Sequence, residues 1–412
     1  MKQFDAIIIG AGPAGMMAAI RAQERDRKVL LVDQNPTPGA KLLISGKGRC
    51  NLTNSSDIAD FLEKFSSSRD FLRNAFAKFF HTDLMSFFEN AGLRLKTERG
   101  GRVFPESDRA EDVLGVLKAK LKNKNMKFLP GERAREILIN QNGKIEGIIT
   151  YSGKSFSSPR VAIATGGVSY PGTGSTGDGY KIAEKLGHRI IPPTPALVPV
   201  IVKERFIKEW QGISLKNVRV TLFANGKKID ERFGEMLFTH FGLSGPIVLD
   251  ISSSIHDALA FNNKAELSIN FKPALDHKKL DARLLREFSA NAGKSIKNVC
   301  KNLLPSGTIE RFLEYCDIDA NKGVSQITGA ERKRLMDGLF DLRLKIKDVM
   351  PVKDGIVTRG GVDTKEINPK TMESKLVKGL FFAGEVIDID AKTGGYNMQA
   401  AFSTGWVCGD NI

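Results

Sequence analysis

The sequence predicts an α/β protein in which one unit, built from both ends of the chain, encloses a β-rich insertion and a helical one. Three observations carry this prediction. The chain opens as strand, helix, strand; its texture changes abruptly after Gly187, where IIPPTPALVPV reads as an extended crossing; and a short buried strand and helix return near the C-terminus.

Residues 4–9 (FDAIII) form an apolar β-branched run ending in Gly10, Ala14 to Arg25 reads as a helix, and Lys28 to Val32 as a second strand. Pro36 to Asn54 fits neither period and reads as a long functional loop. Helical patterns follow over Asp57 to Ala91 and Ala110 to Asn123, then strands at Arg133–Asn140, Lys144–Tyr151 and Pro159–Ala164. From Val198 to Phe271 alternating strands dominate, and Lys278 to Asp341 is mostly helical and charged. Strands return from Ile356, Gly379 to Ala383 is a short buried strand, and Tyr396 to Cys408 is the final helix. The expected parts are 1–192 with 352–412, a β-rich insertion of 193–275 with 320–351, and a small helical insertion of 276–319.

A chain of 412 residues with 41% apolar content buries more than one core. It has no run near the roughly 18 apolar residues of a membrane span, and its start runs straight into a strand, so a cytoplasmic protein is expected. Four cysteines (Cys50, Cys300, Cys316, Cys408) without a CxxC pair argue against a disulfide framework and a dithiol centre. Redox work would need a bound cofactor. The net charge of +15 suits an anionic partner or a solvated surface. Acids are interspersed among the bases from Lys272 to Lys347, which weighs against nucleic acid. The histidines share no metal-ligand spacing, and no metal is expected.

Gly10-Ala11-Gly12-Pro13-Ala14-Gly15 is GxGxxG between an apolar strand and a helix, the context in which this motif holds a dinucleotide. Gly12 lets backbone approach a pyrophosphate, and the helix N-terminus supplies N–H groups. Asp33, ending the second strand, is placed to accept from the ribose hydroxyls. This motif alone does not separate FAD from NAD; three further segments favour FAD. In GAKLLISGKGRCNLTN (39–54), Gly46 and Gly48 frame a sharp approach, while Lys47 and Arg49 are placed to face phosphate or flavin oxygens. Cys50 reads as a packed residue or a flavin-proximal thiol. VAIATGG (161–167), with Thr165, Gly166 and Gly167, precedes PGTGSTGDGY (171–180), whose Asp178 opens a helix. The last segment delivers Gly384 and Glu385 from a strand, then Gly394-Gly395-Tyr396-Asn397 opens a helix able to stabilise charge on reduced flavin.

Together with GRVFP (101–105), LFTHFGLSGP (237–246), RGGV (359–362), TMESK (371–375) and AGEVIDIDAKTGGYNMQ, these motifs resemble the BaiN-type flavoproteins from end to end. The resemblance implies a glutathione reductase-like Rossmann FAD domain with an inserted β-barrel and a small helical domain. Two departures stand out: Asp33 replaces the usual Glu, and Lys47 sits where relatives often have Gly. By motif position the candidate cofactor contacts also include Gln34, Lys41, Gly48, Asn51, Ala134, Met398 and Gln399. Candidate catalytic residues are His240, Arg49 and Asn51. His240 reads equally as a proton carrier or as a turn residue, and Arg102 as an anion clamp or a partner of Glu106.

The expected function is an FAD-dependent oxidoreductase that passes a hydride, with NAD(P)H as transient donor, to a small organic acceptor such as an activated double bond. A flavin oxidase, a flavin-containing RNA-modifying or RNA-binding protein, and a flavin sensor are the alternatives. Periodicity is silent on oligomeric state.

Overall fold

A computed structural model describes residues 2–66, 68–261 and 264–412. The chain forms two compact units, Met1–Thr194 with Val352–Ile412, and Pro195–Pro351.

In the first unit, β1 (Ala6–Ile9), β2 (Val29–Asp33), β3 (Met126–Pro130), β4 (Val161–Ile163) and β5 (Leu380–Phe382) make a parallel sheet in the order β5-β4-β1-β2-β3. β1, β4 and β5 are buried at every residue, as expected of near-continuous apolar strands covered on both faces. Helix α1 (Pro13–Glu24) follows β1, α2 (Asp178–Lys185) follows the loop after β4, and α3 (Tyr396–Asn411) ends the chain. Gly405 lies against α1: a Cβ there would sit 2.4 Å from the Ala14 carbonyl oxygen, so the two helices meet backbone to backbone.

Three strands, 134–139, 145–150 and 155–157, form an antiparallel meander joined by 2–3. A small antiparallel sheet pairs 53–54 and 95–97 with 102–105. The expected helical stretch 57–91 is three helices, Ile58–Leu62, Arg69–Lys78 and His81–Glu89. The loop expected over 36–54 contains a short helix, Ala40–Ile44, and a 3-10 turn, Ser45–Gly48.

The second unit is a closed six-stranded barrel, with strands 200–202, 214–224, 227–238, 242–244, 265–270 and 342–349. Its core includes Ile247, Val248, Ile251 and Ile255 of a 15-residue helix, Pro246–Ala260, inside a stretch the sequence reads as strands. Those four residues follow the helical period. The Ser252-Ser253-Ser254 run, weak in helix propensity, obscures it. Helical residues Leu280, Leu284, Val299, Phe312 and Leu339 join the same core.

Candidate flavin site

The turn after β1 is held by Asp33. Its Oδ2 accepts from the Ala11 N–H at 2.5 Å, and Oδ1 accepts from the Asn35 N–H at 2.7 Å. Burial raises the Asp33 carboxyl pKa, and the two backbone donors only partly offset this. Gly15 is obligatory here, since a Cβ would lie 1.8 Å from the Gly10 carbonyl oxygen. Above Gly12 a Cβ would meet nothing within 4 Å, so the N-terminus of α1 opens on clear space. The first N–H groups of a helix have no intrahelical partner, and a pyrophosphate fits that space. Ala14 belongs to the same first turn and is buried. Gln34 and Asn35 donate to the Gly174 and Thr173 carbonyls at 2.7 and 3.0 Å, tying the 171–177 loop to the end of β2.

Around the end of β4 the structure brings distant segments together. The Thr165 hydroxyl is buried without a partner among the described residues, and Gly167 faces the Thr358 hydroxyl. Asp178 at the start of α2 pairs with Arg133, beside the buried Ala134, and the guanidinium holds its carboxyl below the usual range. Lys41 Nζ lies 2.6 Å from Glu385 Oε2 and 2.7 Å from Ser169 Oγ. Glu385 Oε1 accepts from Ser169 Oγ at 2.9 Å and from the Thr358 N–H at 2.8 Å. Glu385 is therefore the knot of a four-segment clasp. Ser169, Thr358 and Arg133 escaped the sequence reading because their partners lie far off in sequence.

The 45–50 loop is wound in the left-handed region, with Gly46, Lys47, Gly48 and Cys50 all at φ between 57° and 84°. Lys47 and Cys50 carry side chains, and each costs about 1 to 2 kcal/mol in that conformation. Cys50 is fully buried, and desolvation pushes its thiol up to about 12, which favours the packed reading. Asn51 accepts from the Gly395 N–H at 3.1 Å while its amide donates to the Thr53 and Val103 carbonyls, so it bridges the loop to the start of α3. Arg49 is engaged by Asp108 and Glu98 and lies 4.1 Å over the Phe104 ring. It is not a free cation facing phosphate. Asn397 closes the preceding turn through the Ala391 N–H and carbonyl at 2.9 and 2.8 Å. Gln399 has no exposed surface and donates to Ser403 at 3.0 Å, whereas Met398 is half-buried. Gly384, at the end of β5, donates its N–H to the Thr404 hydroxyl of α3.

His240 lies in the second unit, exposed in the turn between strands 227–238 and 242–244, its ring 4.8 Å from Phe241. Arg102 pairs with Glu98, not Glu106. Among the described residues no group of His, Cys, Asp and Glu has metal-binding geometry, and no helix is long and apolar enough to cross a membrane.

A parallel sheet with its phosphate turn, an acidic residue closing the second strand, and a C-terminal helix aimed back at the same end define a dinucleotide-binding flavoprotein of the oxidoreductase class. The chain matches the HI0933-like protein Rossmann domain over residues 4–411 and belongs to that family of FAD-dependent oxidoreductases. It is 33% identical, over all of its own length and 98% of the relative's, to a ribosomal RNA dihydrouridine synthase of Escherichia coli strain K12. It is 32% identical, over 98% of its length and 97% of the relative's, to a 3-dehydro-bile acid delta(4,6)-reductase of Clostridium scindens. Among solved structures, a 3-ketosteroid delta1-dehydrogenase of Sterolibacterium denitrificans shares the fold, at TM-score 0.54 and 12% identity over 99% of both chains.

Proposed function

We propose that this protein reduces a carbon–carbon double bond conjugated to a carbonyl, using a nicotinamide nucleotide as the donor. The observation that carries this reading is that two full-length relatives, with unlike substrates in their names, share one kind of chemistry. A uridine ring and a bile acid enone both present a polarised double bond. Flavin, when bound, would supply the hydride chemistry. The chain's residues would hold and orient it, α1 and Asp33 at the dinucleotide end, and the 45–51 loop and α3 at the ring. The α3 N-terminus, opened by Gly395, favours negative charge placed before it. A single dinucleotide fingerprint makes the nicotinamide a transient visitor.

Between the two substrate classes, RNA is the better supported. A second related chain, from Haemophilus influenzae, also carries the name ribosomal RNA dihydrouridine synthase, at 32% identity over the full chain. The net charge of +15 fits a polyanion. Lys118, Lys120, Lys122 and Lys124 are exposed, and no acid interrupts the chain between Asp112 and Glu132. The test is anaerobic incubation of the FAD-loaded protein and NADPH or NADH with unmodified ribosomal RNA, and separately with a conjugated steroid ketone. Uridine gaining two hydrogens supports the RNA reading; turnover of the steroid alone transfers the proposal to lipid substrates; turnover of neither sinks it.

A further inference from the structure

The 45–50 loop is strained, and strain of this kind persists only where surrounding contacts over-determine it. Two anchors are part of the loop's own surroundings: buried Cys50 and the Asn51 bridge to Gly395. The third comes from outside. Arg49 has right-handed backbone between left-handed Gly48 and Cys50, and it points to the hairpin formed by strands 95–97 and 102–105. There its Nε donates to Asp108 Oδ1 at 2.8 Å, and its Nη2 reaches both Asp108 and Glu98. Lys96 holds the other oxygen of Asp108 at 2.7 Å, Arg102 lies 3.6 Å from Glu98, and Phe104 backs the guanidinium. Both carboxyls are held below their ordinary range by these cations.

We propose that Glu98 and Asp108 are positioning residues which, acting through Arg49, hold the loop in its flavin-receiving conformation. This rests on the flavoprotein reading. A bidentate fork fixes direction as well as distance, so the pair of acids sets the orientation of the loop's backbone, not only its proximity to the hairpin. Arg49 thereby contributes to the site through its backbone, while its charge is neutralised by the two acids.

The test uses full-length apoprotein titrated with FAD, read by flavin fluorescence and by the visible circular dichroism of the bound ring. The double variant Glu98→Gln/Asp108→Asn weakens FAD binding about fivefold and alters the dichroism, as expected for a half-exposed ionic network. Placed in an Arg49→Gln background, the same two changes add nothing. The gap between wild type and double variant narrows at high salt, which screens exposed charges. Wild-type affinity and dichroism in the double variant, or effects that multiply in the triple variant, overturn the proposal. Asp108→Asn alone, at a half-exposed position, carries the same expectation should the double variant not fold. Wild-type protein that takes up no FAD overturns the flavoprotein reading itself, a result separable from failure of the variants alone.

Discussion

At the scale of single residues, the site is governed by contacts too short to tolerate change. Gly15→Ala places a methyl on the Gly10 carbonyl oxygen, and the purified variant is expected to carry no flavin absorbance while wild type does. Cys50 makes the opposite forecast: a desolvated thiol near 12 stays protonated, so native protein at neutral pH resists alkylation there and Cys50→Ser retains its flavin. Labelling of native Cys50 by iodoacetamide would contradict this. His188 is a buried residue whose Nε2 lies 2.8 Å from the Ser374 hydroxyl and whose Nδ1 lies 3.3 Å from the Ala183 carbonyl. Burial lowers its pKa below the ordinary 6.5. The unfolded chain therefore protonates first, so this contribution to stability is full above about pH 6.5 and is lost as pH falls below it. Melting temperatures measured between pH 7 and 5 are expected to fall less steeply in His188→Asn than in wild type.

At the scale of elements, α1 and α3 pack backbone to backbone, and in the proposed reading each would present its N-terminus to the nucleotide. Gly405 and Gly409 set their separation, each with a would-be Cβ 2.4 Å from an α1 carbonyl oxygen, and Arg21 and Arg25 lock the far end onto Asp410. Gly405→Ala is expected to cost about 1 to 3 kcal/mol in urea unfolding and to weaken FAD binding as well. Unchanged FAD affinity with reduced stability would show that helix spacing does not reach the site. The phosphate turn, the returning strand and the final helix were legible because each is a local pattern: an apolar run, a glycine punctuation, a helical period. What connects them was not. Arg49 finds Asp108 59 positions away and Lys41 finds Glu385 344 away, distances at which sequence spacing carries no information. Helix Pro246–Ala260 was missed for a different reason, because its serine run is weak in helix propensity and the segment lies between strands 242–244 and 265–270.

At the scale of the whole molecule, the chain belongs to a family of flavin-dependent oxidoreductases and carries a surplus of positive charge. If RNA is the substrate, binding of ribosomal RNA by the wild type falls steeply with salt, and Lys122→Glu/Lys124→Glu lowers that slope without changing the flavin spectrum. The central claim is reached more directly by one absorbance experiment: the spectrum of purified protein, followed by anaerobic NADH or NADPH, then a conjugated acceptor, then air. The account predicts flavin bands that bleach with one nucleotide and recover promptly only when the acceptor is added. Absence of flavin after purification and after reconstitution with FAD would contradict it, and fast recovery in air alone would mark an oxidase instead.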